Sequence, residues 1–347
     1  MKLGHARRQR EFRGPHRQRG VALMIALILV ALATILATKL TFDGWLERQR
    51  TVGILAAEQA LHFGMGAEAL AADVLNQTVG TSQQEVTLAQ AWAQPTQPLP
   101  ITPEDNPEGE PIGTLEGALE DMSGRFNLNN LGAATTPQAG ALPGTTALDP
   151  EPLAQFQRLL ELVGLEPKWA GIARDWITAT DQASSPDGAK DAIYTAQTPP
   201  YRTGEWPMMS ASELMNMPGF GADRYRKIAP YVTALPTATA RVNICTASAP
   251  VLQSIAPGLS GEYSAQVLAA NRKTGCFPDP KAFANILTGQ PGRSTVVWTN
   301  YYGTASQYFR LTTRVTLGTT EFTLYSLLYT GGGGGKVVPL LRTFGTP

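Results

Sequence analysis

The chain has 347 residues, and its 28 basic and 28 acidic side chains cancel to a formal net charge of zero. This balance gives no support to a nucleic-acid partner, which would favour a basic surface. Only 16% of the residues are charged, whereas 34 are glycine and 26 are proline. Such a composition suits a loop-rich protein outside the cytoplasm better than a helical bundle.

The first predicted element is an apolar helix. No charged residue occurs from Val21 to Thr38, and a helix of that length spans roughly 27 Å, close to the hydrocarbon thickness of a bilayer. The preceding segment, residues 1–20, carries seven basic residues and one acid, Glu11. This bias predicts a single-pass inner-membrane protein whose C-terminal domain lies in the periplasm.

The basic segment allows three interpretations. A cleaved secretory signal lacks support, because no clean small-residue cleavage site follows the apolar run. An uncleaved membrane anchor is the second. The third starts from Arg19-Gly20, which resembles the processing site of type IV pilins and type II secretion pseudopilins. That resemblance implies that a prepilin peptidase cuts after Gly20 and leaves Val21 as the first residue, with methylation as a further family expectation.

One position departs from most of that family. Members usually carry Glu at the fifth mature position, which is thought to pair with a neighbouring subunit's amino terminus; here the residue is Ile25. A carboxylate in lipid needs such a partner. In lacking this Glu, the chain resembles the minor pseudopilins called K, which lie at the tip of the fibre.

The helix is predicted to continue beyond the membrane, to about Val74. An apolar stripe at helical spacing comprises Val52, Ala56, Ala60, Phe63, Ala67, Leu70 and Val74, and Glu68 falls off it. Gly64 and Gly66 weaken the helix but suit close packing against a sheet. A strand is predicted around Val86–Trp92, and another within Ile112–Leu131.

The second of these strands runs into Asp121-Met122-Ser123-Gly124-Arg125-Phe126-Asn127-Leu128-Asn129. From the residues alone, this is a bend in which Arg125 pairs with Asp121 and the asparagines bond to the local backbone. The stretch also resembles a motif that K pseudopilins carry at the end of the first sheet strand. Both interpretations are structural.

Helical patterns follow a Gly-, Ala- and Pro-rich linker. Helices are predicted over Glu151–Val163 and Lys168–Thr178. Residues 212–221 and 249–259 repeat an apolar helix, Pro-Gly turn and helix, as in helix-hairpin-helix units. Such units can bind nucleic acid, and Arg224, Arg226 and Lys227 flank the first turn. We favour a structural role and keep an anchored periplasmic nucleic-acid-binding module as the alternative.

The segment between these helices is acidic. Asp175-Trp176-Ile177, Gly188-Ala189-Lys190-Asp191 and Pro199-Pro200-Tyr201 resemble a K-family signature whose loop carboxylates bind calcium. The resemblance implies a calcium site at Asp181, Asp187, Asp191 and Glu205. Thr178 and Lys190 stand where the signature has acids and argue against it. A solvated acidic loop, or a hydrolase using Asp175 and Asp181, are the alternatives.

The last 50 residues change to strand periodicity. Polar and apolar residues alternate from Tyr308 to Leu317, a turn follows, and Phe322–Tyr329 is a second strand. Pro339 would confine a third, Val337–Leu341, to a sheet edge. Cys245 and Cys276 are expected to form a disulfide in an oxidising periplasm, with two buried thiols as the alternative.

Together these elements resemble the minor pseudopilin K family of type II secretion systems. The fold expected is α+β: a pilin-like helix and antiparallel sheet with an inserted all-α, helix-hairpin-helix or SAM-like domain. The predicted segments are residues 1–20 leader, 21–75 helix, 76–135 first core part, 136–290 insert and 291–347 C-terminal sheet. The family implies a tip complex with minor pseudopilins I and J, and contact with the other pseudopilins through them. No enzyme is expected from the residues themselves, because His5, His16 and His62 all lie in the leader or the long helix and the sequence has no G-x-S-x-G or P-loop motif.

Overall fold

The computed structural model describes residues 19–79, 85–103, 106, 108–135, 147–180, 182–184, 186–259, 270, 272, 275–277, 283, 287, 297–331 and 336–345. The chain divides into two units, one ending at Glu58 and a second, Gln59–Pro347. Helix α1 covers Arg19–Thr78, which confirms the long helix. By length and composition, it is the one helix among the described residues that could cross a membrane.

The buried face of α1 in the second unit differs from the predicted stripe. Ala60 and Ala67 of the stripe are buried as predicted, but further along the helix Ala71 and Leu75 are buried and Leu70, which the stripe included, is 58% exposed. Glu68, predicted to lie off the stripe, is also buried because Arg342 and Ser326 bond to its carboxylate. In this part of α1, the face that packs on the sheet is therefore shifted by one residue from the predicted apolar stripe.

Nine strands are found in the described residues: β1 Leu99–Ile101, β2 Gly113–Asp121, β3 Phe126–Asn127, β4 Val232–Thr233, β5 Val242–Asn243, β6 Tyr302–Gly303, β7 Tyr308–Leu317, β8 Thr320–Tyr329 and β9 Val338–Phe344. Five of them form an antiparallel sheet in the order β1-β2-β7-β8-β9. Strand β2 pairs directly with β7, from Gly113 opposite Leu317 to Asp121 opposite Phe309. The intervening helical region is therefore an insertion into this sheet.

The sheet packs on the second part of α1. Ala71 and Leu75 contact the layer formed by Trp92, Phe309 and Leu328. A Cβ atom at Gly64 would lie 3.1 Å from Leu324 Cδ2, so glycine lets the helix approach β8 closely, whereas Gly66 meets no such neighbour. As predicted, β9 is an edge strand containing Pro339, and its pairing with β8 is irregular there.

The strand predicted at Val86–Trp92 is wrong. Residues Ala91–Ala93 form a short 3₁₀ helix. The side chain of Gln90 accepts hydrogen bonds from the Thr87 backbone and the Trp92 indole. These local bonds favour a turn over an extended strand.

The inserted unit, which lies between β2 and β7, contains five further α-helices among the described residues: α2 Pro150–Leu162, α3 Trp169–Ile177, α4 Asp191–Thr195, α5 Gly221–Ile228 and α6 Ala249–Ser254. Asp149 caps α2, which begins with Pro150. The two short parallel pairs are β3–β4 and β5–β6. The core of this unit includes residues from Phe126 to Tyr302 and so extends beyond the predicted bounds 136–290. The two chain segments that connect the insert to β2 and β7 also pack into it.

Candidate functional sites

Three asparagines of the predicted bend join distant backbone segments. Asn129 donates to the carbonyls of Met208 and Leu235 and accepts from the Met208 amide at 2.7 Å. Asn127 donates to the carbonyl of Thr237 and accepts from the amide of Leu235. Asn130 makes the same pair of bonds with the backbone of Ala240. The amides therefore clamp backbone segments on both sides of α5 onto β3 and the turn that follows it, where sequence reasoning predicted only local bonds.

The charged partner of Arg125 also differs from the prediction. Its guanidinium bonds to Glu120 rather than Asp121, and donates to the carbonyl of Ala229 at 3.0 Å. Glu120 also bonds to Arg310 of β7 at 2.7 Å. Glu120 and Asp121 are adjacent in β2 and point to opposite faces. Arg125 therefore links the sheet to the inserted unit.

Asp121 is fully engaged on the other face. Its carboxylate accepts hydrogen bonds from the backbone of Ser123 and from the side chains of Asn243, Thr246 and Ser306. Burial raises the pKa of Asp121 despite these four donors. The group joins β2, the insert and the approach to β7. The Asp121 carboxylate is therefore a structural junction, because all four of these donors bond to it.

The predicted calcium residues do not form a cluster in the described chain. Asp181 lies outside the described residues. Asp187 and Glu205 are exposed. Asp191 accepts from the backbone and hydroxyl of Thr203 at 3.0 and 2.8 Å and lies 3.6 Å from Arg202. No group of three potential metal-binding side chains occurs in the part of the chain that the structure describes. Calcium binding therefore stays a prediction.

Two residues that sequence reasoning gave less weight organise this loop instead. The buried carboxylate of Asp175, near the end of α3, accepts from the backbone and hydroxyl of Ser184 at 2.8 and 2.5 Å. The buried ammonium of Lys190 donates to the backbone carbonyls of Asp175, at 2.7 Å, and Thr178. The unusual lysine within the resembled signature was the sequence signal for this arrangement. The carboxylate of Asp175 therefore holds the turn at Ser184 in place.

Two of the three basic residues near the first Pro-Gly turn, Arg224 and Arg226, contact other groups of the protein. Arg224 lies over the Trp169 ring, bonds to Glu166 and donates to the carbonyl of Gly219. Hydrogen bonds from Trp169 and then Arg224 lower the pKa of Glu166 to about 2. Arg226 pairs with Asp223 at 2.6 Å. These contacts favour the structural interpretation of the helical unit over phosphate binding.

The two cysteines form a disulfide in the structure. The bond joins Cys245, which follows β5, to Cys276. Both residues are buried in the core of the inserted unit. A cross-link over 31 residues restricts the unfolded chain and so stabilises the folded one.

Comparison with known proteins identifies the family. Family models described as Type II secretion system (T2SS), protein K match residues 124–237 and 242–301. The type II secretion system protein K of Klebsiella pneumoniae is 32% identical over 338 residues, which covers 95% of both chains. This chain belongs to the type II secretion system protein K family. Members of this family are components of a secretion system. The comparisons therefore do not favour the alternative of a nucleic-acid-binding module.

Other relatives agree. The Pseudomonas aeruginosa protein K is 31% identical over 94% of this chain and 93% of its own length. A chain in the crystal structure of the GspK-GspI-GspJ complex from the type 2 secretion system of enterotoxigenic Escherichia coli has a TM-score of 0.66 and 23% identity. The match covers 86% of this chain and 100% of that one. The predicted α+β fold with its helical insert, and the predicted identity as a minor pseudopilin, are thereby confirmed.

Proposed function

We propose that this minor pseudopilin occupies the tip of the type II secretion pseudopilus, where it helps to start assembly and so promotes protein export across the outer membrane. The single observation that carries the proposal is the apolar part of α1. From Val21 to Thr38 it carries no charged side chain, and position 25 is isoleucine. A subunit without a carboxylate there cannot bind the amino terminus of a subunit above it, so it suits the end of a fibre.

The partners follow from a relative. A similar protein was solved as the GspK-GspI-GspJ complex, and we infer that this chain forms the corresponding complex with minor pseudopilins I and J. Leu23, Leu27 and Val30 are among the apolar side chains exposed along α1. Such side chains suit both a bilayer and parallel packing against similar helices. Through I and J, the chain would contact the other pseudopilins.

The inserted unit supports the same position. It lies between the paired strands β2 and β7, and thus adds a second core to a pilin-like subunit. Repeated stacking requires every subunit to leave room for those above and below it. A large insertion is accommodated most easily where no further subunit is added. The role is mechanical and needs no catalytic residue.

The placement of the chain follows from its N-terminal segment. The basic residues before Val21 favour a cytoplasmic N terminus and a periplasmic location for the rest. The proposed cut after Gly20 would leave α1 as the membrane-spanning and assembly helix. Assembly would then extract this helix from the inner membrane into the fibre.

Processing provides a direct test. The full chain is expressed with and without the prepilin peptidase, extracted from membranes and analysed by N-terminal sequencing. We expect the chain to begin at Val21 only when the peptidase is present. Gly20→Ala should remain uncut, and Gly14→Ala, within the same leader, should be cut normally. Retention of the leader in wild type with active peptidase would contradict the proposal.

A further inference from the structure

Lys190 is a charged side chain enclosed by the inserted unit. It is only 8% exposed. Its ammonium donates to the carbonyls of Asp175, in the last turn of α3, and of Thr178, just after the helix. Carbonyls at a helix C-terminus lack helical partners and carry partial negative charge, so a cation is stabilised there.

The adjoining turn surrounds the side chain of Asp175. The Gly188 amide donates to the carbonyl of Ser184 at 2.5 Å, which closes the turn. A Cβ atom added to Gly188 would lie 2.2 Å from Asp175 Oδ2. The two carboxylate oxygens of Asp175 are bonded to Ser184. Glycine is therefore needed for the turn to approach this carboxylate so closely.

The described donors do not form a calcium site: Asp187 and Glu205 are exposed, and no three metal-binding side chains come together in the described part of the chain. Calcium takes six to eight oxygens from carboxylates, carbonyls and water. Here two carbonyls at the end of α3 are occupied by an ammonium, Asp175 is bonded to Ser184, and Asp191 is bonded to Thr203. A divalent ion at these carbonyls would also face the positive charge of Lys190.

We propose that the ammonium of Lys190 is the built-in cation of this loop, which makes its folding independent of calcium. The lysine performs locally what a bound metal ion does: it neutralises converging oxygens and fixes the chain that follows α3. Because the inference concerns only the loop, it does not depend on the proposed tip position.

Hydrogen exchange of the full chain in detergent micelles tests this inference. Amide exchange in residues 182–191 is measured by mass spectrometry in a chelator and in about 5 mM calcium. This concentration exceeds the dissociation constants of the weakest extracellular calcium sites. We expect the two profiles of the wild type to coincide. Lys190→Met keeps most of the side-chain volume but removes the charge. In chelator, its exchange in this segment should be about tenfold faster, as expected for the loss of charge-assisted hydrogen bonds.

Lys227→Met is the matched control, because Lys227 is exposed on α5; it should exchange like the wild type. Two results would overturn the proposal. One is slower exchange of the wild-type loop in calcium than in chelator. The other is a Lys190→Met loop as protected as the wild-type loop. If Lys190→Met fails to fold, the wild-type comparison in calcium and chelator still decides the question.

Discussion

At the scale of single residues, polar side chains fix the join between the sheet and the inserted unit. Asn129 is 2% exposed and satisfies both a donor and an acceptor of the Met208 backbone, as well as the carbonyl of Leu235. An amide can do this because it carries donors and an acceptor on one short side chain. An apolar residue of the same size would leave three buried backbone groups without partners.

Asn129→Ala tests this role. Each lost hydrogen bond is worth about 1 kcal/mol, and the unfolding free energy should fall by about 3 kcal/mol. The measurement is urea unfolding of the full chain in detergent, followed by tryptophan fluorescence. Asn216→Ala is the control, since Asn216 is exposed, and it should change the unfolding free energy by less than about 0.5 kcal/mol. Equal midpoints for the two variants would refute the role.

At the scale of elements, one ion pair fastens the edge strand β9 to α1. Glu68 of α1 accepts from Arg342 of β9 at 2.7 and 2.8 Å and from Ser326 of β8 at 2.7 Å. Burial raises the pKa of Glu68, but the bonds from Arg342 and Ser326 outweigh it and hold the pKa below its ordinary value. The carboxylate is therefore more stable in the folded chain than in the unfolded one.

This contact predicts a pH-dependent stability. A lowered carboxylate pKa stabilises the fold above the ordinary value of 4.5, and the contribution disappears as pH falls through the folded-state pKa. Glu68→Gln should lower the unfolding free energy by about 2 kcal/mol at pH 7. When the pH falls below 4.5, the unfolding free energy of this variant should decrease less than that of the wild type, because the variant has no carboxylate at position 68 to protonate. Urea unfolding across this range measures both effects.

Glu321→Gln provides the comparison for this variant. Glu321 pairs with Arg314 in β7, but both side chains are more than half exposed. Exposed pairs contribute little, so its loss should cost less than about 0.5 kcal/mol. If Glu68→Gln behaved like Glu321→Gln at pH 7, β9 would be held by its strand pairing alone.

At the scale of the whole molecule, local patterns predicted the elements and missed the contacts between them. Alternation along residues 308–317 predicted β7, because burial on one face of a strand repeats every second residue. Asn127 was singled out in the sequence, yet its partner Thr237 lies 110 residues away, a distance that no local pattern reports. In the sequence, Lys190 only argues against calcium, because the carbonyls that its ammonium bonds to are brought together by the fold.

We propose that this chain caps a pseudopilus in a complex with minor pseudopilins I and J. The most direct measurement is native mass spectrometry of the detergent-extracted chain, co-expressed with I, J and the prepilin peptidase and purified through a tag after Pro347. We expect one ternary complex containing one copy of each subunit, with this chain beginning at Val21. Recovery of the processed chain alone, when I and J are produced in the same cells but do not copurify with it, would contradict the proposed tip complex.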